Sequence, residues 1–405
     1  LSDSSKSIIG KIDDYLNIKA YFSDDLPHQL ANTRRFVQDK LEDYAAYSNG
    51  NIHFEFIHDN EKLKEEAQKS GIQPLQVQVL ENDAFIVKQI YMGLELLYED
   101  NKEIIPVIQQ EKLEYDITTK IKKLVDTNKE TISITKTHSQ ADIKNENISQ
   151  LLRQRYIVRN TNLDQEISED IALILLNGLE DSLTNDESQN LEAFIDRGGN
   201  VLLAQNRIKT DLSTQQANPI ESDIFALLDS YGLHIEPNLV LDLNCGKVNV
   251  QQNLGFLRIP VPMNYPFLPI IKKDNFTNNI MVNALEALRL MFPSELIIND
   301  SLYKITPLFT SSDKSTSMQE FFNLNPDPNA NPAFQQLNED GKILGALVEI
   351  ENTQNKLILI TDSKFFLDDG GGASGENHIF IMNAIDYLLG DQELIALRSR
   401  EVTSR

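Results

Sequence analysis

The run Ile171-Ala-Leu-Ile-Leu-Leu176 holds six apolar residues in succession, and this constrains the fold more than any other feature of the chain. Such a run is far shorter than the ~20 residues that span a bilayer. A strand with one face in water would alternate apolar and polar residues, so an unbroken run predicts helices on both faces. That is the signature of a parallel sheet in an α/β fold. At 405 residues the chain is too long for one ordinary core, and its length suggests about two or three domains.

Around that run the pattern is regular. Thr131-Ile-Ser-Ile134 reads as a strand, followed by a helix reaching Arg155, then Tyr156-Ile-Val158 and the apolar run itself. Thr184 and Glu187 form a capping box for the next helix, which ends at Arg197-Gly198-Gly199 before the strand Asn200–Ala204. Asp223–Tyr231 is amphipathic and stops at Gly232. Pro260, Pro262, Pro266 and Pro269 then punctuate the pattern, which predicts an ordered Pro-rich excursion at about 249–340, with Asn323–Pro332 as a mobile loop. Strands resume over Leu344–Ile350 and Lys356–Thr361; Gly370–Gly375 reads as a flexible connection into a helix over Asn377–Leu389.

The first part of the chain alternates differently. Leu16–Phe22, a helix over Leu30–Tyr44, Asn51–Ile57, a helix around Glu61–Ser70, the strands Val77–Leu80 and Ile86–Leu97 about the turn Glu81-Asn-Asp83, and a helix from Leu113 give β-α-β-α-β-β-α. This is the element order of a thioredoxin-like unit, here without Cys-x-x-Cys, so thiol redox chemistry is not expected. The boundary falls at about 1–126 and 127–405. In the second domain, the series strand, Asn177-Gly178, helix, Gly198-Gly199, strand resembles the glutamine-amidotransferase-like branch of flavodoxin-type folds.

Catalytic and cofactor chemistry is poorly represented. The single cysteine, Cys245, lies in Leu243-Asn-Cys-Gly-Lys247, outside any strand-to-helix turn of the kind a nucleophile elbow needs. His53 and His58 have odd spacing along a strand and point to opposite faces, while His28, His138, His234 and His378 are scattered. Asp362, Asp368 and Asp369 read as turn and capping residues rather than a cation site. No phosphate-binding glycine fingerprint is present. Neither metal nor cofactor is expected. The formal charge of -24 opposes binding to nucleic acid or to an anionic bilayer. A ligand site, if built, belongs at the carboxyl ends of the parallel strands, where Asn177, Gly178, Asn206, Arg207, Asp362 and Ser363 are the candidates.

Three collinear segments carry a family resemblance. They are Tyr21-Phe-Ser-Asp-Asp-Leu-Pro27 with Val37–Tyr44; Gly71-Ile-Gln-Pro74 with Ile90–Leu94 and Leu113–Asp116; and Leu357–Ser363 with Asn377, Asn383–Asp391 and Arg398-Ser-Arg400. Together they resemble the GldG-like auxiliary components of gliding-motility ABC transport systems. The resemblance implies a non-catalytic, periplasmic part of an accessory subunit, held in the inner membrane by segments outside this chain. Its implied partners are an ABC permease and, through it, a cytoplasmic ATPase, and it leaves room for a homo- or hetero-dimer. The start at Leu1, without a signal peptide, fits an excised or processed segment. The competing expectations are a periplasmic small-ligand or glycan-binding protein and a degenerate amidotransferase-like hydrolase.

Overall fold

The computed structural model describes residues 1–57, 60–81, 84–126, 129–140, 143–254, 257–391 and 395. They fall into two compact units, Leu1–Asn128 and Lys129–Ile395.

The first unit contains α1 (Asp3–Ile9), β1 (Leu16–Phe22), α2 (Thr33–Tyr47), β2 (Ile52–Ile57), α3 (Asn60–Ser70), β3 (Leu75–Glu81), β4 (Ala84–Ile90), β5 (Met92–Tyr98), β6 (Asn101–Ile105) and α4 (Leu113–Val125). Among the described residues its sheet has the order β2-β1-β5-β6, with β1 parallel to β2 and antiparallel to β5. The strand expected over Ile86–Leu97 is two strands divided at Tyr91, and only β5 joins the sheet. β4 instead forms a separate ribbon with β3. The edge strand β6 escapes prediction because Asn101-Lys-Glu-Ile-Ile105 is half polar. In α2 the buried face is Thr33, Val37, Leu41 and Tyr44, whereas the apolar Phe36 is exposed. Asn49 and Gly50, both at positive φ, follow the end of that helix.

Polar side chains fasten α1 to α4. Glu114 accepts from the Ser2 amide at 2.6 Å and the Ser5 hydroxyl at 2.9 Å. Burial works to raise its pKa, but the Ser2 and Ser5 bonds and the Lys40 ammonium outweigh it and pull the carboxyl down to about 2.

The second unit continues with β7 (Thr131–Lys136), α5 (Glu146–Arg153), β8 (Ile157–Asn162), β9 (Ile171–Leu176), α6 (Asn185–Asp196), β10 (Asn200–Ala204), β11 (Ile208–Asp211), β12 (Gln216–Pro219), α7 (Ile224–Ser230), β13 (Leu233–Ile235), β14 (Asn238–Asp242), β15 (Cys245–Leu254), β16 (Leu257–Lys272), β17 (Ala287–Arg289), β18 (Leu296–Ile298), β19 (Lys304–Thr310), β20 (Ser315–Gln319), β21 (Ile343–Ile350), β22 (Asn355–Ile360) and α8 (Gly375–Leu388). Among the described residues its main sheet has the order β19-β21-β22-β10-β9-β7-β8. From β8 to β22 the strands are parallel; β21 returns antiparallel, so the sheet is mixed where an all-parallel one was expected.

Both faces of this sheet are covered, as the apolar run at β9 requires. The registered row Leu175, Leu202, Ile358 and Leu347 packs with Ile148 and Leu152 of α5 and Phe380, Ile381 and Ile385 of α8. One residue along, Ile174, Val201, Leu357 and Val348 face Leu191 and Phe194 of α6 and Ile224, Phe225 and Leu228 of α7. The period of two sends alternate residues of every strand into opposite apolar layers. Helix α6 starts with the capping box of Thr184 and Glu187, as expected.

Within the excursion expected at about 249–340, Tyr265, Phe267 and Phe292 form a separate core with Phe334 packed against them, while β19, inside the same span, joins the main sheet. The excursion's prolines do not interrupt structure: Pro260 and Pro262 lie within β16, opposite Gln251 and Asn249 of β15. Standing two apart, they leave their missing N–H groups on one side of the strand, where an edge tolerates them. Two loops read as mobile or flexible are instead tied down. Asn331, fully buried, donates to the carbonyls of Asn323 at 2.7 Å and Asn325 at 3.2 Å, and the Tyr265 hydroxyl donates to Leu324 at 2.8 Å. Gly371 and Gly372 are buried against the turn at 365–367, where an added Cβ at either would come within 2.6 Å of a backbone oxygen.

Asn331→Ala should therefore destabilise the second unit by about 1–3 kcal/mol, because two loop carbonyls lose their donor. Chemical denaturation monitored by tyrosine fluorescence checks this; an unchanged midpoint would return the loop to the mobile class.

Candidate functional site

Among the parallel strands of the main sheet the chain order runs second, first, third, fourth, fifth, so it reverses between β7 and β9. Loops leaving the carboxyl ends on either side of such a reversal diverge and open a crevice. Here the loops are Thr137–Gln140 after β7, Asn177–Leu179 after β9, Gln205–Asn206 after β10 and Thr361–Ser363 after β22. A cavity of about 200 Å³ lies among them, lined by Ser139, Gln140, Gly178, Asn206, Ser363 and Lys364, with Met291 and Phe292 contributed by the excursion.

Three of the six expected residues, Gly178, Asn206 and Ser363, line this crevice. Their polar atoms are committed to one another. Ser363 Oγ accepts from the Asn206 amide at 2.9 Å and donates to Asn206 Oδ1 at 2.7 Å, and Asn206 Nδ2 donates to the Phe292 carbonyl. Gly178 is required by space: a Cβ there would lie 2.2 Å from Ser363 Oγ. Arg207 points elsewhere, donating to the Ile235 carbonyl at 2.8 Å with its guanidinium over the Phe225 ring. Asn177 is buried, with neither end of its side-chain amide hydrogen-bonded among the described residues.

Asp362 is fully buried and accepts from the amides of Met291 at 2.9 Å and Lys364 at 2.8 Å. Burial pushes its pKa up to about 7 against the opposing pull of those two amides and the Lys364 ammonium. It therefore acts as a clasp on the excursion rather than as a group facing a ligand.

Sequence reading missed Gln140, which supports the floor of the crevice by donating from Nε2 to the Asn177 and Gly178 carbonyls. It also missed Gln205, whose amide bonds both the N–H and the carbonyl of Leu179. Glutamine after a strand carries no distinctive spacing, so the signal was confined to its position at a strand end. Charge at the rim comes from Glu180 paired with Lys209 at 2.5 Å and from Lys364 near Asp369 at 3.8 Å.

The remaining candidates occupy structural positions. His138 meets the buried Glu187 through both its amide and Nδ1; His234 pairs with Asp229; His378 Nε2 bonds the Gly372 carbonyl. His58 lies outside the described residues, as do the turn residues Asn82 and Asp83 and the Arg398–Arg400 segment. Asp368 accepts from the amides of Glu146 and Asn147 at 3.0 Å each and so caps α5 from a distance. Cys245 is half-buried on β15, and burial raises its thiol pKa, which disfavours the nucleophilic thiolate. Among the described residues no cluster of three or more His, Cys, Asp or Glu is placed to hold a metal ion.

Comparison with known proteins places these features in context. Residues 129–384 match the family described as ABC-type uncharacterized transport system, and residues 1–96 match a domain of unknown function. An uncharacterized protein of Borreliella burgdorferi is 24% identical over 430 residues, spanning 100% of this chain and 83% of its own length. Among solved structures, the mmIFT52 N-terminal domain has a TM-score of 0.42 at 14% identity, covering 64% of this chain and 97% of that one. PurLQS from Thermotoga maritima has a TM-score of 0.30 at 12% identity, covering 64% and 100% respectively.

Two outcomes test the site geometry. Gly178→Ala should cost about 1–3 kcal/mol by overpacking against Ser363, and Ser363→Gly in the same chain should recover part of the loss in melting temperature. Asp362 has a folded pKa of about 7, above its unfolded value of ~3.9, so the folded state holds the extra proton between those values. Its contribution to stability consequently declines as pH rises through that window. Denaturation midpoints from pH 4 to pH 8 should show Asp362→Asn improving relative to wild type as pH rises; a pH-independent difference would refute the assignment.

Proposed function

The chain belongs to the ABC-type uncharacterized transport system family, and on that premise we propose that it is the non-catalytic, partner-docking part of an auxiliary subunit. Its partners would be an ABC permease and, through it, an ATPase on another polypeptide. The observation that carries this reading is the chemistry of the crevice. Asn206, Ser363, Gln140 and Gln205 spend their polar atoms holding strand-end loops together, and Asp362 clasps the excursion. Groups so committed are poorly disposed to take up and release protons for a substrate.

Within this reading, the order β2-β1-β5-β6 supports a thioredoxin-like assignment for the first unit, without its cysteine pair. The reversal between β7 and β9 supports a flavodoxin-type, amidotransferase-like assignment for the second. We place the chain in the periplasm beside the inner membrane; in keeping with that, no helix among the described residues is long and apolar enough to cross a membrane. A role in gliding motility is the finer expectation drawn from the family resemblance.

A second reading, a small-ligand binder, is favoured by one observation, the cavity with its mixed-charge rim of Glu180, Lys209 and Lys364. The hydrolase alternative asks for a nucleophile activated by a base, and Cys245, with its thiol pKa raised, is a poor one.

Co-expression of the full-length protein with its permease and ATPase should yield a complex that survives detergent purification. ATP hydrolysis should be absent from the chain alone and should persist in the complex carrying Cys245→Ser. Hydrolysis by the isolated chain, or permease and ATPase that purify without it under conditions preserving their own association, would overturn the proposal.

A further inference from the structure

Charge around the cavity at the carboxyl edge of the main sheet is sorted by side. Among the described residues that line it, the charged ones are Glu180 and Asp181 after β9, Lys209 on β11 and Lys364 after β22. Lys209 pairs with Glu180 at 2.5 Å, and Asp181 acts on the same ammonium. Two carboxylates thus share one cation, and their side of the cavity keeps a negative excess. The Asp181 backbone carbonyl accepts from the Ser222 hydroxyl, while its carboxylate has no hydrogen bond among the described residues. Opposite, Lys364 is half-buried, and its ion pair with Asp369, which does not line the cavity, is stretched to 3.8 Å. Strands β22 and β9 flank β10, so the two strand ends stand about 10 Å apart. The rest of the wall includes the apolar side chains of Ile208, Ile220, Met291 and Phe292.

Resting on the small-ligand reading of this cavity, we propose that it binds a small zwitterion, an amino acid or dipeptide with an apolar side chain, whose carboxylate meets Lys364 and whose ammonium meets Asp181. The apolar wall takes the ligand's side chain, the usual division of labour in a small-molecule site. Other ligand classes match less of what the cavity offers. A neutral sugar needs donors and acceptors from the wall, and those of Asn206, Ser363 and Gln140 are spent on loop backbone and on one another. A simple anion would meet Lys364 but face the carboxylates of Glu180 and Asp181, and a simple cation would meet those carboxylates but face Lys364. Only a molecule that carries both charges is complementary on both sides. Partial enclosure by the apolar wall makes each of the two contacts stronger than it would be in open water.

Isothermal titration calorimetry of the whole chain with L-leucine and with L-leucyl-L-leucine tests this, and the tighter of the two identifies the source. Lys364→Met and Asp181→Asn should each weaken that binding at least about tenfold, and Lys364→Arg should keep it. Circular dichroism should stay unchanged in all three, because Asp181 is exposed and the Lys364 ammonium makes only the long pair with Asp369. N-acetyl-L-leucine, without the ammonium, and L-leucinamide, without the carboxylate, should also bind at least about tenfold more weakly than L-leucine if the free amino acid is the ligand. Asp181→Asn should not weaken N-acetyl-L-leucine further, since that molecule has no ammonium to lose. Binding of glucose or inorganic phosphate where neither zwitterion binds would keep the cavity as a ligand site and overturn the zwitterion. No binding by any of these four would overturn the small-ligand reading with it. Zwitterion binding indifferent to both Lys364→Met and Asp181→Asn would overturn the proposal by placing the site elsewhere.

Discussion

The second unit depends on the way one segment, 289–294, is laced across the carboxyl edge of its main sheet. Asn377 bonds both the amide and the carbonyl of Arg289, Asp362 holds the Met291 amide, and Asn206 holds the Phe292 carbonyl. Ser294 completes the series by donating its amide to Thr361 and accepting from that of Arg207. Two of the four strand-end loops that a doubly wound fold would offer to a ligand, those after β10 and β22, thus find groups of the excursion. Removing any one partner would leave a buried donor or acceptor without its bond, which costs more than an ordinary hydrogen bond contributes. That asymmetry makes the lacing a condition of the fold rather than an addition to it.

The lacing also accounts for strain. Phe292 adopts φ +53°, a region L-residues seldom occupy, yet it is buried. Its amide donates to the Phe267 carbonyl, its carbonyl accepts from Asn206, and its ring stacks on Phe267. The surroundings over-determine the conformation, so the local cost is sustained by contacts on three sides. One of those contacts belongs to the sheet edge and the others to the excursion core, which couples the two parts through a single residue.

How far this could be read in advance divides along physical lines. The apolar run at β9, the Thr184–Glu187 capping box and the helix end at Arg197-Gly198-Gly199 were legible because each depends on neighbours within a few residues. β6 was not, because its stability comes from pairing with β5 while its own residues are half polar. Nor was the rigidity of 323–332: asparagine-rich, proline-rich sequence ordinarily stays loose, and Asn331 reverses that only because it is buried where it reaches two carbonyls. At the crevice, Gly178, Asn206 and Ser363 line the cavity from their positions after strands, while Arg207 and Asp362 stand at the same edge with their side chains on the Ile235 carbonyl and the Met291 amide. Orientation follows from the excursion, whose packing has no local signature in sequence.

Carboxylates show the same division of labour within an acidic chain. Most face water and set the net charge, but Asp242, Asp362, Asp386 and Glu187 are buried, and each serves as an acceptor for groups from elsewhere in the fold. Asp242 holds Ser312 and Asn244; Asp386 receives the Tyr156 hydroxyl and Arg155; Glu187 receives the His138 and Thr184 amides. A carboxylate offers two oxygens and no donor, so it satisfies paired N–H groups that neither a hydroxyl nor a carbonyl side chain would serve as well. The acidic composition therefore has two distinct physical consequences. Outside, it restricts which surfaces can meet another acidic molecule; inside, it ties together groups distant in sequence, as Asp362 does for Met291 beside a crevice where Asn206, Ser363, Gln140 and Gln205 commit their polar atoms in the same way.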